Sequence, residues 1–186
     1  MSKSDQNSTL SKEQIEEVYG LYKNGQFKEA ISQIKALNKI YPNVPLLFNL
    51  IGACYTSLGK LEGAVQMFKT AVSLKPDYAE AHKNLGNTLK ELGRLDESIE
   101  SFVKATVIDP DLVDAHYNLA NTLKELNRLD ESVESYKRAI AINPNFAQAH
   151  NNLGNAQKEL KQLDNALKSY KRAIAINPDF AQAHNN

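Results

Sequence analysis

Proline recurs at Pro42, Pro76, Pro110, Pro144 and Pro178, a fixed step of 34 residues across most of a 186-residue chain. A constant period of this length is the signature of a repeat architecture, in which each unit buries its apolar face only against its neighbours. Other residues keep the same step. His82, His116, His150 and His184 do so, as do Asn84, Asn118, Asn152 and Asn186. Numbering each unit from two residues after its proline gives repeats 11–44, 45–78, 79–112, 113–146 and 147–180, with 181–186 beginning a sixth and residues 1–10 a polar leader, expected to be disordered.

Within a unit the spacing is helical. In 79–112, Leu85, Leu89 and Leu92 fall at i, i+4 and i+7, one stripe of a helix. Gly93-Arg94 interrupts, and Ser98, Ile99, Phe102, Ala105 and Thr106 form a second stripe. Asp96, Asp130 and Asp164 stand where the second helix would use an N-cap acceptor. Asn43, Asp77, Asp111, Asn145 and Asp179 stand where the next first helix would use one. Each proline pushes the residue before it out of the helical region. The prediction is paired helices over 11–41, 45–75, 79–109, 113–143 and 147–177, with no strand.

This pattern resembles the tetratricopeptide repeat family over residues 11–186. Small residues stand at position 8 (Gly52, Gly86, Ala120, Gly154), position 20 (Ala30, Ala64, Ser98, Ser132, Ala166) and position 27 (Ala71, Ala105, Ala139, Ala173). Aromatic residues stand at position 24 (Phe68, Phe102, Tyr136, Tyr170). The first repeat departs most, with Val18 at position 8, Ile34 at position 24 and Glu17 where an apolar residue is usual. The resemblance implies an all-α fold, a right-handed superhelix of helical hairpins, whose concave groove binds protein or extended peptide segments.

Composition limits the function. Basic and acidic residues number 22 each. Zero net charge argues against a general nucleic-acid binder, which needs a cationic surface. No 18-residue apolar run is present, so no membrane span is expected, and the first ten residues lack the apolar core of a secretory signal. A single cysteine, Cys54, rules out an internal disulfide framework and reads as a small buried thiol. A reducing cytoplasm is the expected setting.

The periodic histidines invite a metal reading. Equivalent packed helices lie about 10 Å apart, whereas two nitrogens on one zinc lie within roughly 3.5 Å of each other. A ladder at that pitch cannot share a metal, so packing is expected. No phosphate loop, catalytic triad or metal-ligand spacing occurs. No catalysis and no cofactor is expected. The Lys-Glu steps at Lys90-Glu91, Lys124-Glu125 and Lys158-Glu159 read as solvated pairs.

Asparagine is the informative polar residue. The resemblance places positions 2, 5, 6, 9, 12 and 13 of each first helix on the concave face. Position 6 holds Asn84, Asn118 and Asn152, and position 9 holds Asn87, Asn121 and Asn155; Lys83 and Tyr117 occupy position 5. Asparagine is a mediocre helix former. Its recurrence fits an amide ladder that grips a ligand backbone, amides that register neighbouring helices, or passive duplication, since 137–152 and 171–186 differ only at Asn145 versus Asp179. The ladder, with its NLGN phrases, is similar to the repeats of O-linked N-acetylglucosamine transferases, where asparagines hold substrate main chains. A carboxylate clamp is incomplete: Lys83, Asn87 and Asn118 match, but Gln148 and Asn152 stand where cations belong. Leu46 and Leu50 either anchor an apolar ligand side chain or pack against the preceding repeat.

Two expectations concern the whole array. Bacterial chains of this kind are often fused to glycosyltransferase or sulfotransferase domains, so a substrate-recognition arm of a larger enzyme is the alternative to a scaffold. Leu167, Tyr170 and Ile174 are expected to form an uncovered apolar strip through which the C-terminal end self-associates.

Overall fold

The computed structural model describes residues 10–178. Among these it contains ten α-helices and no strand: α1 Lys12–Lys23, α2 Phe27–Ile40, α3 Pro45–Ser57, α4 Leu61–Leu74, α5 Ala79–Glu91, α6 Leu95–Ile108, α7 Val113–Glu125, α8 Leu129–Ile142, α9 Ala147–Glu159 and α10 Leu163–Ile176. The hairpins predicted from the 34-residue step agree to within one residue at each end. The chain packs as two compact units, Met1–Thr88 and Leu89–Asn186, and the division falls inside α5.

Position 15 sets the turn between paired helices. It adopts the left-handed conformation in every repeat: Gly25 (φ 76°), Gly59 (φ 68°), Gly93 (φ 74°), Asn127 (φ 57°) and Lys161 (φ 60°). Glycine and asparagine take this conformation at little cost, which terminates the first helix and starts the second a few residues later. Lys161 takes it against its intrinsic preference.

The caps differ from the sequence expectation. Helices α6, α8 and α10 begin two residues earlier than expected, with Arg94, Arg128 and Gln162 at the N-cap and no side-chain cap bond. Asp96, Asp130 and Asp164 therefore lie inside the first turn, where they meet the positive end of the helix dipole. The reason is steric: the left-handed residue at position 15 turns the chain so soon that position 16 is already the N-cap and position 17 opens the helix. At the proline turns the acceptor is the residue before proline. Asp109 Oδ1 accepts from the Asp111 amide at 3.1 Å, and Asn143 Oδ1 from Asn145 at 3.2 Å. Asp111 and Asn145 thus do not cap the following helices. Only α1, among helices with described caps, has a capping box, from Ser11 and Gln14.

In unit 1, α1 to α4 enclose Val18, Ala30, Ile34, Leu47, Leu50, Ile51 and Cys54. Val18 and Ile34 fill jointly what Gly52 and Phe68 fill in the next repeat. A Cβ on Gly52 would stand 2.6 Å from the Phe68 ring, so the aromatic at position 24 requires a small residue at position 8. Glu17 is exposed and accepts from Gln33 at 3.2 Å, which explains a polar residue at that register. Burial pushes the Cys54 thiol up to about 11, so it stays protonated and packs as the sequence predicted.

Unit 2 repeats the scheme. Ile99, Phe102, Leu119 and Leu123 form one cluster, and Ala120, Val133, Tyr136, Leu153 and Ala156 another. Tyr170 is 6% exposed, with its ring over Gly154, where a Cβ would stand 2.5 Å away. It therefore does not belong to an uncovered strip. Leu167 is 52% exposed and Ile174 is half-buried. Residues 181–186, expected to start a sixth repeat, lie outside the described residues, as do His184 and Asn186.

The histidine ladder is a structural staple. The Nε2 of His82, His116 and His150 lies 3.0, 3.0 and 3.1 Å from the carbonyl oxygen of Pro76, Pro110 and Pro144. A carbonyl only accepts, so Nε2 carries the proton. Each ring ties a first helix to the turn six residues before it. The constant six-residue offset between proline and histidine was the sequence signal for this bond.

Candidate functional site

The polar residues of the first helices converge within each unit. In unit 2, Tyr117, Asn121, Lys124 and Glu125 project from α7 and Asn152, Asn155 and Glu159 from α9, spaced three and four residues apart and so along one helix face. With Lys90 and Tyr136 several of these side chains line an open recess of about 260 Å³.

Hydrogen bonds fix the orientation of the amides. The Tyr136 hydroxyl donates to Asn121 Oδ1 at 2.5 Å, and the Tyr170 hydroxyl donates to Asn155 Oδ1 at 2.9 Å. Position 24 thus buttresses position 9 in both repeats. Asn152 Nδ2 donates to Asn121 Oδ1 at 3.2 Å and to the Tyr117 hydroxyl at 3.0 Å. The position 6 amide therefore spends both donors on joining its helix to the preceding first helix. Tyr117 is held in turn by Phe146, 4.8 Å between ring centroids. By contrast, the Nδ2 groups of Asn121 and Asn155 have no hydrogen-bond partner among the described residues. With the oxygen anchored on a tyrosine, each Nδ2 is a directed, unspent donor on a half-exposed surface.

The ion pairs run between repeats. Lys90 pairs with Glu125 at 2.9 Å and Lys124 with Glu159 at 3.0 Å. The sequence neighbours Lys124 and Glu125 are therefore not partners, which corrects the expectation of local pairs; consecutive residues on a helix point about 100° apart. These bridges leave the recess flanked by matched charges.

In unit 1, Asn84 Nδ2 donates to Asn49 Oδ1 at 3.2 Å, and Asn49 Nδ2 to the Tyr78 hydroxyl at 3.4 Å. The position 6 amide again joins successive first helices. Position 9 of the second repeat is Ala53, which lines a recess of about 130 Å³ with Phe68, Asn84 and Asn87. Phe68 has no hydroxyl to donate, and position 9 of its own repeat carries no amide. Asn87 is exposed. Leu50 is only 5% exposed, within the core with Val18 and Ile34; it packs on the preceding repeat and offers no groove surface. Lys83 Nζ lies 2.6 Å from Glu80, so the one clamp cation already has a carboxylate. Asn118 is half-buried, and its carbonyl accepts from the Thr122 hydroxyl at 2.8 Å.

Sequence reasoning placed the asparagines on a shared face but missed the tyrosines that orient them. The signal was present: aromatic hydroxyls at position 24 occur only in the fourth and fifth repeats, both of which carry asparagine at position 9. Among the described residues no cluster of His, Cys, Asp and Glu suited to a metal occurs, and no helix is long and apolar enough to cross a membrane.

Comparison with known proteins agrees with the repeat frame. A family described as TPR repeat matches residues 52–93, 86–126 and 120–161, and one described as Tetratricopeptide repeat matches 147–180. A crystal structure of MamA superposes with a TM-score of 0.82 at 24% identity, covering 94% of this chain and 99% of that one. The structure described as "YrrB: a TPR protein with an unusual peptide-binding site" has a TM-score of 0.80 at 18% identity, covering 97% of this chain and 93% of that one. Anaphase-promoting complex subunit 3 of Dictyostelium discoideum is 36% identical over 56 residues, 30% of this chain and 6% of that protein. The chain thus spans only a small part of that relative.

Proposed function

Because the chain belongs to the tetratricopeptide repeat family, we propose that it is a non-catalytic scaffold that holds an extended segment of another protein against the polar face of its first helices. The observation that carries this reading is the pair of unspent Nδ2 donors on Asn121 and Asn155. A donor held in place by a buried tyrosine suits a main-chain carbonyl, which every extended segment presents at regular intervals. Asn152 and Tyr117 act here as supports that position Asn121. The matched charges of Lys124 and Glu159 beside the amides give the face little preference for a charged ligand, in keeping with backbone recognition. That YrrB is described as having a peptide-binding site supports the reading by analogy.

The test uses peptides selected on the 186-residue chain from a random display library. Replacing Asn121 and Asn155 together by alanine removes two hydrogen bonds, about 0.5–1.5 kcal/mol each, so affinity should fall roughly five- to 150-fold with helical content unchanged. Unchanged affinity in this variant would overturn the proposal.

A further inference from the structure

Two recesses lie on unit 2 away from the amides. On α9, His150 and Leu153 sit on the helical face opposite Asn152 and Asn155. The first recess, about 370 Å³, has a floor of Ile99, Val103 and Leu119 and a rim of Asp130, Glu131 and Glu134. Its arginine, Arg128, is held by Glu131 through two contacts of 2.7 and 2.6 Å. The second, about 380 Å³, lies one repeat further on. Its floor is Ile140 and Leu153, and its rim is Lys137, His150, Lys168 and Arg172. The two share an apolar floor and differ in the sign of the rim.

Part of the sign change traces to four adjacent substitutions between near-identical helices, two of which change charge. Residues 129–143 and 163–177 differ only at Glu131/Asn165, Ser132/Ala166, Val133/Leu167 and Glu134/Lys168. Glu134 and Arg138 are opposite charges four residues apart, an arrangement that supports a helix. Lys168 and Arg172, in the same registers, are like charges that repel. Neither pairs with a carboxylate among the described residues, whereas Lys137 reaches Glu134 at 3.0 Å. Asp164, four residues before Lys168, offsets part of that repulsion along the helix; the net charge of the chain is zero, so the cationic field is local to the recess.

We propose that the recess between α8, α9 and α10 docks an acidic segment of another protein, one that places a large apolar side chain on Ile140 and Leu153 between carboxylates held by Lys168 and Arg172. The volume falls within the range of about 300–1,000 Å³ typical of ligand sites. Carboxylates bound by Arg and Lys form the stronger class of hydrogen bond. The acidic recess one repeat earlier rejects the same segment through like charge, so specificity is built from attraction at one register and repulsion at the next. Because the site lies off the amide face, it stands or falls independently of the proposal above.

The experiment titrates the ¹⁵N-labelled chain with a synthetic peptide carrying one phenylalanine between runs of glutamate, and with its lysine counterpart. The acidic peptide should cause saturable shifts at Leu153 and Ser169. Lys168→Glu with Arg172→Glu should weaken it at least tenfold, as should replacing its phenylalanine by serine, and added salt should weaken it progressively. Both cations are exposed, and circular dichroism checks the fold; if the double reversal unfolds, the double alanine variant takes its place and should show the same loss. Four results would overturn the proposal: no saturable shift, shifts that survive removal of both cations, shifts confined to Asn121 and Asn155, or self-association of the chain that Arg172→Glu abolishes while the peptide binds nowhere.

Discussion

At the scale of single residues, what distinguishes the repeats is how each register solves one steric problem. Position 15 must take a positive φ, and Lys161 does so at 60°. A non-glycine residue there costs about 1–2 kcal/mol, partly offset because glycine is more flexible in the unfolded chain. Lys161→Gly should therefore raise stability by roughly 0.5–1 kcal/mol, read as a higher urea midpoint with an unchanged slope. A lower midpoint would mean that the lysine side chain contributes more than its backbone costs. At position 8, Gly52 and Gly154 admit aromatic rings at distances no Cβ tolerates. Ala120 faces Tyr136 at the same register, so the helices can separate enough to admit a methyl group.

At the scale of helices, polar side chains do much of the work of joining one repeat to the next. Asn152 bridges α9 to α7 through Asn121 and Tyr117. Asn152→Ala leaves both partners with weakened hydrogen bonding in a partly buried setting, and should cost about 1–3 kcal/mol of stability in thermal or urea unfolding. A negligible cost would return the position 6 amides to ligand binding. The Lys124–Glu159 pair, with both partners partly exposed, contributes much less.

His150 adds a pH dependence at the same scale. It donates to the Pro144 carbonyl and faces Arg172 on α10, with Lys137 of α8 and Lys168 of α10 on the same recess. Burial foremost, and then Arg172, lowers its pKa below the ordinary 6.5, while the bond to Pro144 acts the other way. The unfolded chain thus binds a proton more readily than the folded one. The contribution of this residue is complete above about pH 6.5 and is lost as pH falls through the lower folded value. Urea midpoints of the parent should drop more than those of His150→Gln between neutral pH and the folded pKa. Equal drops would show that folding leaves the proton affinity of this ring unchanged.

At the scale of the whole molecule, charge is balanced in sum and segregated in place. The chain carries 22 charges of each sign, yet an acidic and a basic recess stand in successive repeats of unit 2. Composition alone predicts a surface indifferent to charged partners. The local field of Lys168 and Arg172 departs from that average because charges beyond about 10 Å are screened at ordinary salt, so a partner responds to the nearest repeat and not to the total.

The outer ends of the hairpins, the paired-helix frame and the small-against-aromatic registers were legible in the sequence, because each is set by spacing within a single repeat: proline stops a helix, position 15 reverses the chain, and a 3.6-residue period selects the buried face. Contacts between helices were not legible to the same degree. Lys124 and Glu159, Asn152 and Tyr117, and Asn121 and Tyr136 meet because packing brings side chains 15 to 35 residues apart within 3 Å or so, and a linear pattern carries no distance across helices. Leu50 shows the same limit. The sequence marks it as a large apolar residue, and only packing against Val18 and Ile34 decides that it lies in the core. The sequence therefore determined which residues repeat and where the hairpins begin and end; the tertiary structure decided where the second helices start, that the Asn152 amide is spent on the fold, and that Asn121 and Asn155 keep a donor among the described residues.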